Sequence, residues 1–138
     1  MQPEIKSKSP LWVGLGSKGL LATLIIGSAT FAPLLVTPIG KDIWSMILLF
    51  VATLVYVGFA VLNDHSKLWR TSIQTLVAIA VVLLAVIIDA QWVVALGLVG
   101  HAIWDAFHLR RGQLYVPWWY AGACIYVDLI AAAFLLLN

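Results

Sequence analysis

The chain has 138 residues, of which 63% are hydrophobic and 10% are charged, and its mean hydropathy is +1.03. A soluble globular domain is about half apolar and about a quarter charged, so this composition excludes most soluble folds. The formal net charge of +2 gives no indication of a nucleic-acid partner. Because a transmembrane helix needs about 20 apolar residues, the length accommodates roughly four to six spans and no separate soluble domain.

The apolar runs predict helices rather than the strands of a β-barrel. Barrel strands alternate apolar and polar residues over about ten positions, whereas the runs 43–62 and 73–88 are apolar on every side. We therefore expect an all-α, polytopic transmembrane bundle, with residues 1–138 forming one transmembrane domain and residues 1–18 cytoplasmic or at the membrane interface. Charges and turn residues divide the chain into five predicted helices, at about residues 19–39, 43–62, 69–88, 91–109 and 116–137.

The division between the third and fourth helices depends on three residues, 89–91. A single long helix over 71–109 is the alternative. At about 1.5 Å per residue such a helix would be nearly twice as long as the hydrocarbon layer is thick, so the sequence favours a tight hairpin.

The basic residues indicate how the bundle is oriented, because short cytoplasmic loops are rich in lysine and arginine. With five spans, Lys41 falls on one side and the other seven of the eight basic residues fall on the opposite side. We therefore expect a cytoplasmic N-terminus and a C-terminus outside. The seven residues of the cytoplasmic side are Lys6, Lys8, Lys18, Lys67, Arg70, Arg110 and Arg111.

The fourth predicted helix carries three ionisable side chains on one face. His101, Asp105 and His108 are spaced i, i+4 and i+7, which places them within a stripe of about 60°. An ionisable side chain inside a span costs at least about 2.5 kcal/mol, so this face is expected to point into the bundle. Gly97 continues the same stripe one turn away.

Asp128 is the only ionisable carboxylate of the fifth predicted helix. The loop before this helix is short, so the fourth and fifth helices are expected to be antiparallel neighbours. Matching their depths places Asp128 about one turn from His101, close enough to meet it directly or through a water. Ala121 and Cys124 share the face of Asp128 and are small, which leaves room for a bound group.

These side chains predict a site in the cytoplasmic half of the bundle. Asp105 and His108 have the i, i+3 spacing that metal sites in helical bundles use, and imidazoles with carboxylates suit zinc, iron or manganese. His101 and Asp105 are also the candidate catalytic residues. The candidate metal ligands are His101, Asp105, His108 and Asp128, and the residues expected to line a pocket are Gly97, Trp104, Tyr120 and Cys124.

The function predicted from these residues is the binding of a divalent metal or a small polar ligand, with hydrolytic or redox chemistry on a membrane-accessible substrate as an extension. Whether the protein is an enzyme stays open. One alternative is a non-catalytic accessory subunit of a larger membrane complex, or a homo-oligomer, whose polar cluster only fastens its helices. Another is a proton or ion conduit. Tyr56, Tyr120 and Tyr126 could reach the polar cluster, but they are interpreted as packing or interface residues, and Asp89 and Gln91 as helix caps.

The last 40 residues or so resemble a group of small bacterial integral membrane proteins of unknown function. These families carry a G-H-x-x-W-D-x-x-H helix followed by V-P-x-W-Y and an intramembrane aspartate. The matching residues here are GHAIWDAFH at 100–108, VPWWY at 116–120, and Asp128. The resemblance implies a multi-pass protein of a bacterial inner membrane, a shared site at these positions and a role for Trp104 in the motif, but it implies no particular reaction.

Overall fold

The computed structural model describes residues 15–36, 39–111 and 115–137. In these ranges the chain forms five α-helices, each long and apolar enough to cross a membrane, which confirms the all-α prediction and the number of long helices. The helices are α1 (Ser17–Val36), α2 (Lys41–Asn63), α3 (Leu68–Ile87), α4 (Gln91–Arg110) and α5 (Trp118–Leu137).

The helix bounds differ from the predicted ones at both ends of the chain. α1 begins two residues early, at Ser17, and Ile39 lies outside it. α5 begins two residues late because the carbonyl of Pro117 accepts the first helical hydrogen bond, from the backbone N–H of Ala121 at 3.2 Å. Most of the predicted interfacial segment, residues 1–14, lies outside the described residues.

A tight turn joins α3 to α4, so the predicted hairpin is correct and the single long helix is wrong. Asp89 has a φ of 51°, the left-handed conformation that ends many helices. The backbone N–H of Ala90 donates to Ala85 (3.0 Å), and that of Asp89 donates to Val86 (3.4 Å). This is the Schellman pattern, so Asp89 caps α3 through its backbone conformation, and Ala90 is the N-cap of α4.

The turn between α2 and α3 is stabilised locally by Asp64. Its carboxylate accepts hydrogen bonds from the backbone N–H of Ser66 at 3.1 Å and from the Ser66 hydroxyl at 2.6 Å, and it caps the short 3-10 helix His65–Lys67. The Ser66 hydroxyl lowers the pKa of this exposed carboxyl. A second link joins the loops at this end, since Asn63 Nδ2 donates to the Tyr115 carbonyl at 2.8 Å.

The packing of the helices places α4 and α5 together at the centre. These two make the most extensive contact, α2 touches every other helix, α1 lies against α5 and α2, and α3 lies against α2 and α4. Large apolar side chains such as Leu24 (68% exposed) and Ile87 (78% exposed) cover the outside. Such a surface is compatible with contact with lipid.

Two apolar clusters fill the interior of the described bundle. One lies toward the α3–α4 turn and includes Val94, Leu98 and Leu135, and the other lies toward the opposite end and includes Leu109 and Val116. The ionisable side chains of α4 and α5 lie between the two clusters.

Candidate functional site

A buried histidine and two buried aspartates form the centre of the site. His101 Nδ1 lies 2.7 Å from Asp128 Oδ2 and 3.5 Å from Asp105 Oδ2. The exposed fractions are 4% for His101, 1% for Asp128 and 0% for Asp105. The approach of His101 to Asp128 that the sequence predicts is therefore a direct contact.

The contact lies at the midpoint of both helices, whereas the sequence predicts a site in the cytoplasmic half of the bundle. His101 is the eleventh residue of the twenty in α4, and Asp128 is the eleventh of the twenty in α5. At about 1.5 Å per residue, each lies about 15 Å from either end of its helix. Asp105 is one turn nearer to the end marked by Arg110. The pair thus lies halfway along the helices, and the rest of the cluster extends toward the basic end.

Tyr56 of α2 completes the cluster. It is fully buried, and its hydroxyl donates a hydrogen bond to Asp105 Oδ1. The edge of its ring packs against His101, with centroids 5.7 Å apart. The interpretation of Tyr56 as a packing residue is incomplete, because its hydroxyl binds the central carboxylate.

His108 does not join the three central residues. Three residues each offer one ligand atom, and these atoms lie within 4.8 Å of one another: His101, Asp105 and Asp128. His108 is outside this group. Two helical turns, about 10 Å, separate His108 from His101 along α4. The ring of His108 packs instead against Tyr56, at 5.4 Å between centroids, and against Tyr115, at 4.7 Å. The expected set of four metal ligands is therefore reduced to three.

A cavity of about 490 Å³ lies on the other side of His101, between α2, α3 and α4. Gly97 and Trp104, two of the residues expected at a pocket, line it together with His101 and Gln74. The hydroxyl of Thr53, which also lines it, donates to the Phe50 carbonyl of its own helix at 2.8 Å. The volume of the cavity falls within the range of about 300–1,000 Å³ that is usual for small-molecule sites.

Tyr120 and Cys124, the other two residues expected at the pocket, do not line this cavity. Tyr120 packs against Phe59, with ring centroids 5.4 Å apart, and Cys124 is buried within α5. The reason is the order of the helices: among the described helices α3 and α5 do not touch, so a cavity beside α3 is remote from α5.

Two side chains that line the cavity carry buried polar atoms without a hydrogen-bond partner. His101 Nε2 is buried and has no hydrogen-bond partner among the described residues, and the same is true of both amide atoms of Gln74. A buried polar group without a partner costs about 1–3 kcal/mol. Gln74 lies 13 residues before the end of α3 and His101 lies ten residues after the start of α4. The hairpin therefore places the two at depths that differ by only about 4–5 Å.

Tyr115 closes the basic end of the cluster from the loop before α5. It is 6% exposed, and burial raises its pKa to about 12, against the opposing effect of the Arg70 guanidinium. Its hydroxyl is therefore protonated and uncharged at neutral pH.

The chain matches no protein-family model, and neither a curated protein nor a solved structure matches it. The resemblance of the last 40 residues to the small bacterial membrane proteins stays a prediction. What the site does is therefore inferred from its own geometry.

Proposed function

We propose that this is a multi-pass protein of a bacterial inner membrane that binds a polar group of a lipid-soluble molecule beside His101. The observation that carries the proposal is that the two imidazole nitrogens have different surroundings. Nδ1 contacts Asp128 at 2.7 Å, whereas Nε2 is buried without a partner in a side chain that lines the cavity. A hydroxyl, carbonyl or carboxyl group of a ligand would satisfy Nε2 and remove the cost of burying it unpaired.

The contacts of His101 suit it to acid–base chemistry. A carboxylate at Nδ1 favours the tautomer that carries its proton on Nδ1, which leaves Nε2 as the acceptor. Asp128 fixes the ring in this orientation, as the carboxylate does in a catalytic triad. If Nε2 takes a proton from a ligand, the resulting imidazolium has Asp128 and Asp105 beside it. Tyr56 binds the second carboxylate and holds it in place.

Access to the cavity from the lipid side is consistent with the exposure of its walls. Val77 of α3 is 57% exposed and Leu96 of α4 is 59% exposed, and both line the cavity. Trp104, at 36%, is exposed at the same surface. A molecule dissolved in the bilayer would reach His101 between α3 and α4 without crossing a layer of water. The substrate would therefore be lipid-soluble.

Divalent metal binding is a second candidate function, and the grouping of His101, Asp105 and Asp128 favours it. One imidazole and two carboxylates suit zinc, iron or manganese. Three protein ligands leave one position open for a water or substrate, as in catalytic zinc sites. The ion would take the place of the proton that His101 and Asp128 now share.

Photolabelling tests the binding proposal. A long-chain alcohol with a diazirine in its chain would be added to vesicles that contain the purified protein, and the labelled peptides would be mapped by mass spectrometry. A Cβ at Gly100 would meet open space, and Gly100 lines the cavity, so Gly100→Leu would occupy part of the cavity and obstruct it. Gly58→Leu is the matched control, because a Cβ there also meets nothing but Gly58 does not line the cavity.

We expect labelling of α3 and α4 at the cavity, lost in Gly100→Leu and retained in Gly58→Leu. Equal labelling of all lipid-facing helices that neither variant changes would contradict the binding proposal. Metal analysis of the same preparations tests the second candidate. A stoichiometric metal that disappears in Asp128→Asn would favour it, and absence of metal from the wild type would exclude it.

A further inference from the structure

A second, smaller hollow lies next to the cavity, toward the basic end of the bundle. Its volume is about 60 Å³, and Arg70 of α3 and Arg111 at the end of α4 are among its lining residues. Trp104 lines both this hollow and the large cavity, so its side chain borders both spaces. The remaining lining residues are Phe107 and His108.

The two spaces follow one furrow along the interface of α3 and α4. On α4 the lining residues Gly97, His101, Trp104 and Arg111 recur at spacings of three, four or seven, which places them on one face. On α3, Arg70 and Gln74 are four apart and share a face in the same way. The furrow is thus cationic at one end and apolar at the other, and its two unsatisfied polar side chains, His101 and Gln74, lie in between.

The two arginines have no acidic partner in the part of the chain that the structure describes. The ion pairs found there are those of His101 with Asp105 and Asp128. Arg70 instead rests over the ring of Trp69, with its guanidinium carbon 5.2 Å from the ring centroid. Guanidinium groups bind carboxylate and phosphate oxygens in a two-pronged geometry, and two of them around one small hollow would suit a single anionic group.

We infer that the furrow binds a single-chain lipid with an anionic headgroup, either a carboxylate or a phosphate. This inference rests on the proposed function and names its ligand class. The headgroup lies between Arg70 and Arg111, and the chain passes Trp104 into the cavity of about 490 Å³. Each feature of such a lipid then has a matching wall, from the cationic hollow to the apolar side chains beyond.

The axial distances determine which part of the lipid faces the polar pair. Arg111 lies ten residues from His101, or about 15 Å along α4, whereas Gln74 lies about 6 Å from Arg70 along α3. His101 therefore lies beside the chain, whereas Gln74, one turn from Arg70, lies next to the headgroup. A hydroxyl, carbonyl or other polar substituent within the chain would be the group that His101 binds.

The experiment compares four diazirine-bearing probes that share one chain: a carboxylic acid, an alkyl phosphate, the corresponding alcohol and the methyl ester. Each is added to vesicles containing the wild-type protein, the double variant Arg70→Gln/Arg111→Gln, or the control Arg110→Gln. Arg110 is exposed and basic at the same end of α4, but it does not line the hollow. Circular dichroism and gel filtration establish that each variant is folded.

We expect the two anionic probes to label the cavity about tenfold more strongly than the alcohol and ester, the equivalent of about one charged hydrogen bond. The double variant should abolish this preference, and Arg110→Gln should keep it. Preference for one of the two anionic probes would identify the headgroup as a carboxylate or a phosphate. Equal labelling by all four probes, or equal losses in the double variant and the control, would overturn the inference.

The two proposals fail in different ways. If the alcohol labels the cavity and Gly100→Leu blocks it, but no anionic preference exists, the ligand class is wrong and the binding site stands. If no probe labels the cavity, both proposals are wrong. A second copy of the chain that covers the furrow would also prevent labelling, and it would give crosslinks between chains at α3.

Discussion

His101 of α4 and Asp128 of α5 are in direct contact, 2.7 Å apart, at the midpoint of the most closely packed helix pair. Close packing is possible because α5 presents small buried residues, and small residues let helix backbones approach one another in a membrane. A hydrogen-bonded pair placed there is cut off from water and from the ends of the helices. The small buried residues of α5 are Ala121, Gly122, Ala123, Cys124, Ala131 and Ala132.

Removing the carboxylate of Asp128 should destabilise the bundle. Hydrogen bonds between transmembrane helices contribute about 0.6 kcal/mol on average, whereas removing one partner of a buried hydrogen bond costs about 1–3 kcal/mol because the other partner is left unsatisfied. His101 is 4% exposed, so the second case applies. We expect Asp128→Leu to lower the free energy of unfolding by about 1–3 kcal/mol, measured by denaturant-induced unfolding in detergent micelles.

Asp128→Asn is the informative companion variant. Its amide oxygen can still accept a hydrogen bond from His101 Nδ1, so its loss of stability should be smaller than that of the leucine variant. If the leucine variant is as stable as the wild type, the contact does not contribute to stability, and ligand binding would be its remaining role.

Tyr56→Phe should reduce stability through one atom. The phenylalanine keeps the ring that packs on His101 but leaves Asp105 Oδ1 without its donor. An unsatisfied buried acceptor costs about 1–3 kcal/mol, so we expect a loss in that range in the same unfolding assay. Tyr126→Phe is the matched control, since its hydroxyl donates to the Leu15 carbonyl at 2.9 Å in a partly buried position. Equal effects of the two substitutions would mean that Asp105 gains nothing special from Tyr56.

The sequence predicts the helices and the His101–Asp128 contact because both depend on short-range information. Apolar runs set the helices, and a short loop between α4 and α5 forces their antiparallel pairing and fixes their relative depth. The hairpin at Asp89 is predicted by length alone, although its cap, a left-handed aspartate, is a backbone feature that the sequence only hints at.

The contacts that the sequence does not predict come from helices distant along the chain. The sequence does not show which face of α2 meets α4, so it leaves open whether Tyr56 reaches the polar cluster or only packs. The one available signal was spacing: Leu49, Thr53, Tyr56 and Ala60 recur every three or four residues and are all buried. The same lack of long-range information explains why the sequence places Tyr120 and Cys124 at a pocket, although the cavity lies beside α3.

Two glycines of α4 should respond in opposite ways to replacement by alanine. A Cβ at Gly97 would lie 2.8 Å from both Leu49 Cδ2 and Val81 Cγ1, so side chains must shift, and overpacking of this kind costs about 1–3 kcal/mol. A Cβ at Gly100 meets open space, and alanine gains up to about 1 kcal/mol over glycine inside a helix. We expect Gly97→Ala to lower the melting temperature and Gly100→Ala to maintain or raise it. The reverse order would mean that α3 and α4 are spaced differently.

Acid should remove the contribution of Asp64 to the turn between α2 and α3. The Ser66 hydroxyl lowers the pKa of this carboxyl from its ordinary value of 3.8. A group whose pKa is lowered on folding contributes stability above its ordinary pKa and loses it as the pH falls through the lowered value. The melting temperatures of wild type and Ser66→Ala should therefore differ most at neutral pH and converge under strong acid. A difference that does not change with pH would show that the Asp64 charge is not involved.

The topology prediction concerns the sides of the membrane at which the helices end. Five helices place Ser17 and Leu137 at opposite ends, and positive charge is retained in the cytoplasm. We expect alkaline phosphatase, which is active only outside the cytoplasm, to be active when fused after Asn138 and inactive when inserted after Lys67. A fluorescent protein that folds only in the cytoplasm should give the opposite pattern. Activity of the phosphatase after Lys67 and not after Asn138 would mean that the orientation is reversed. Arg70 and Arg111 would then lie on the outer side, and the proposed anionic lipid would have to bind from the outer leaflet.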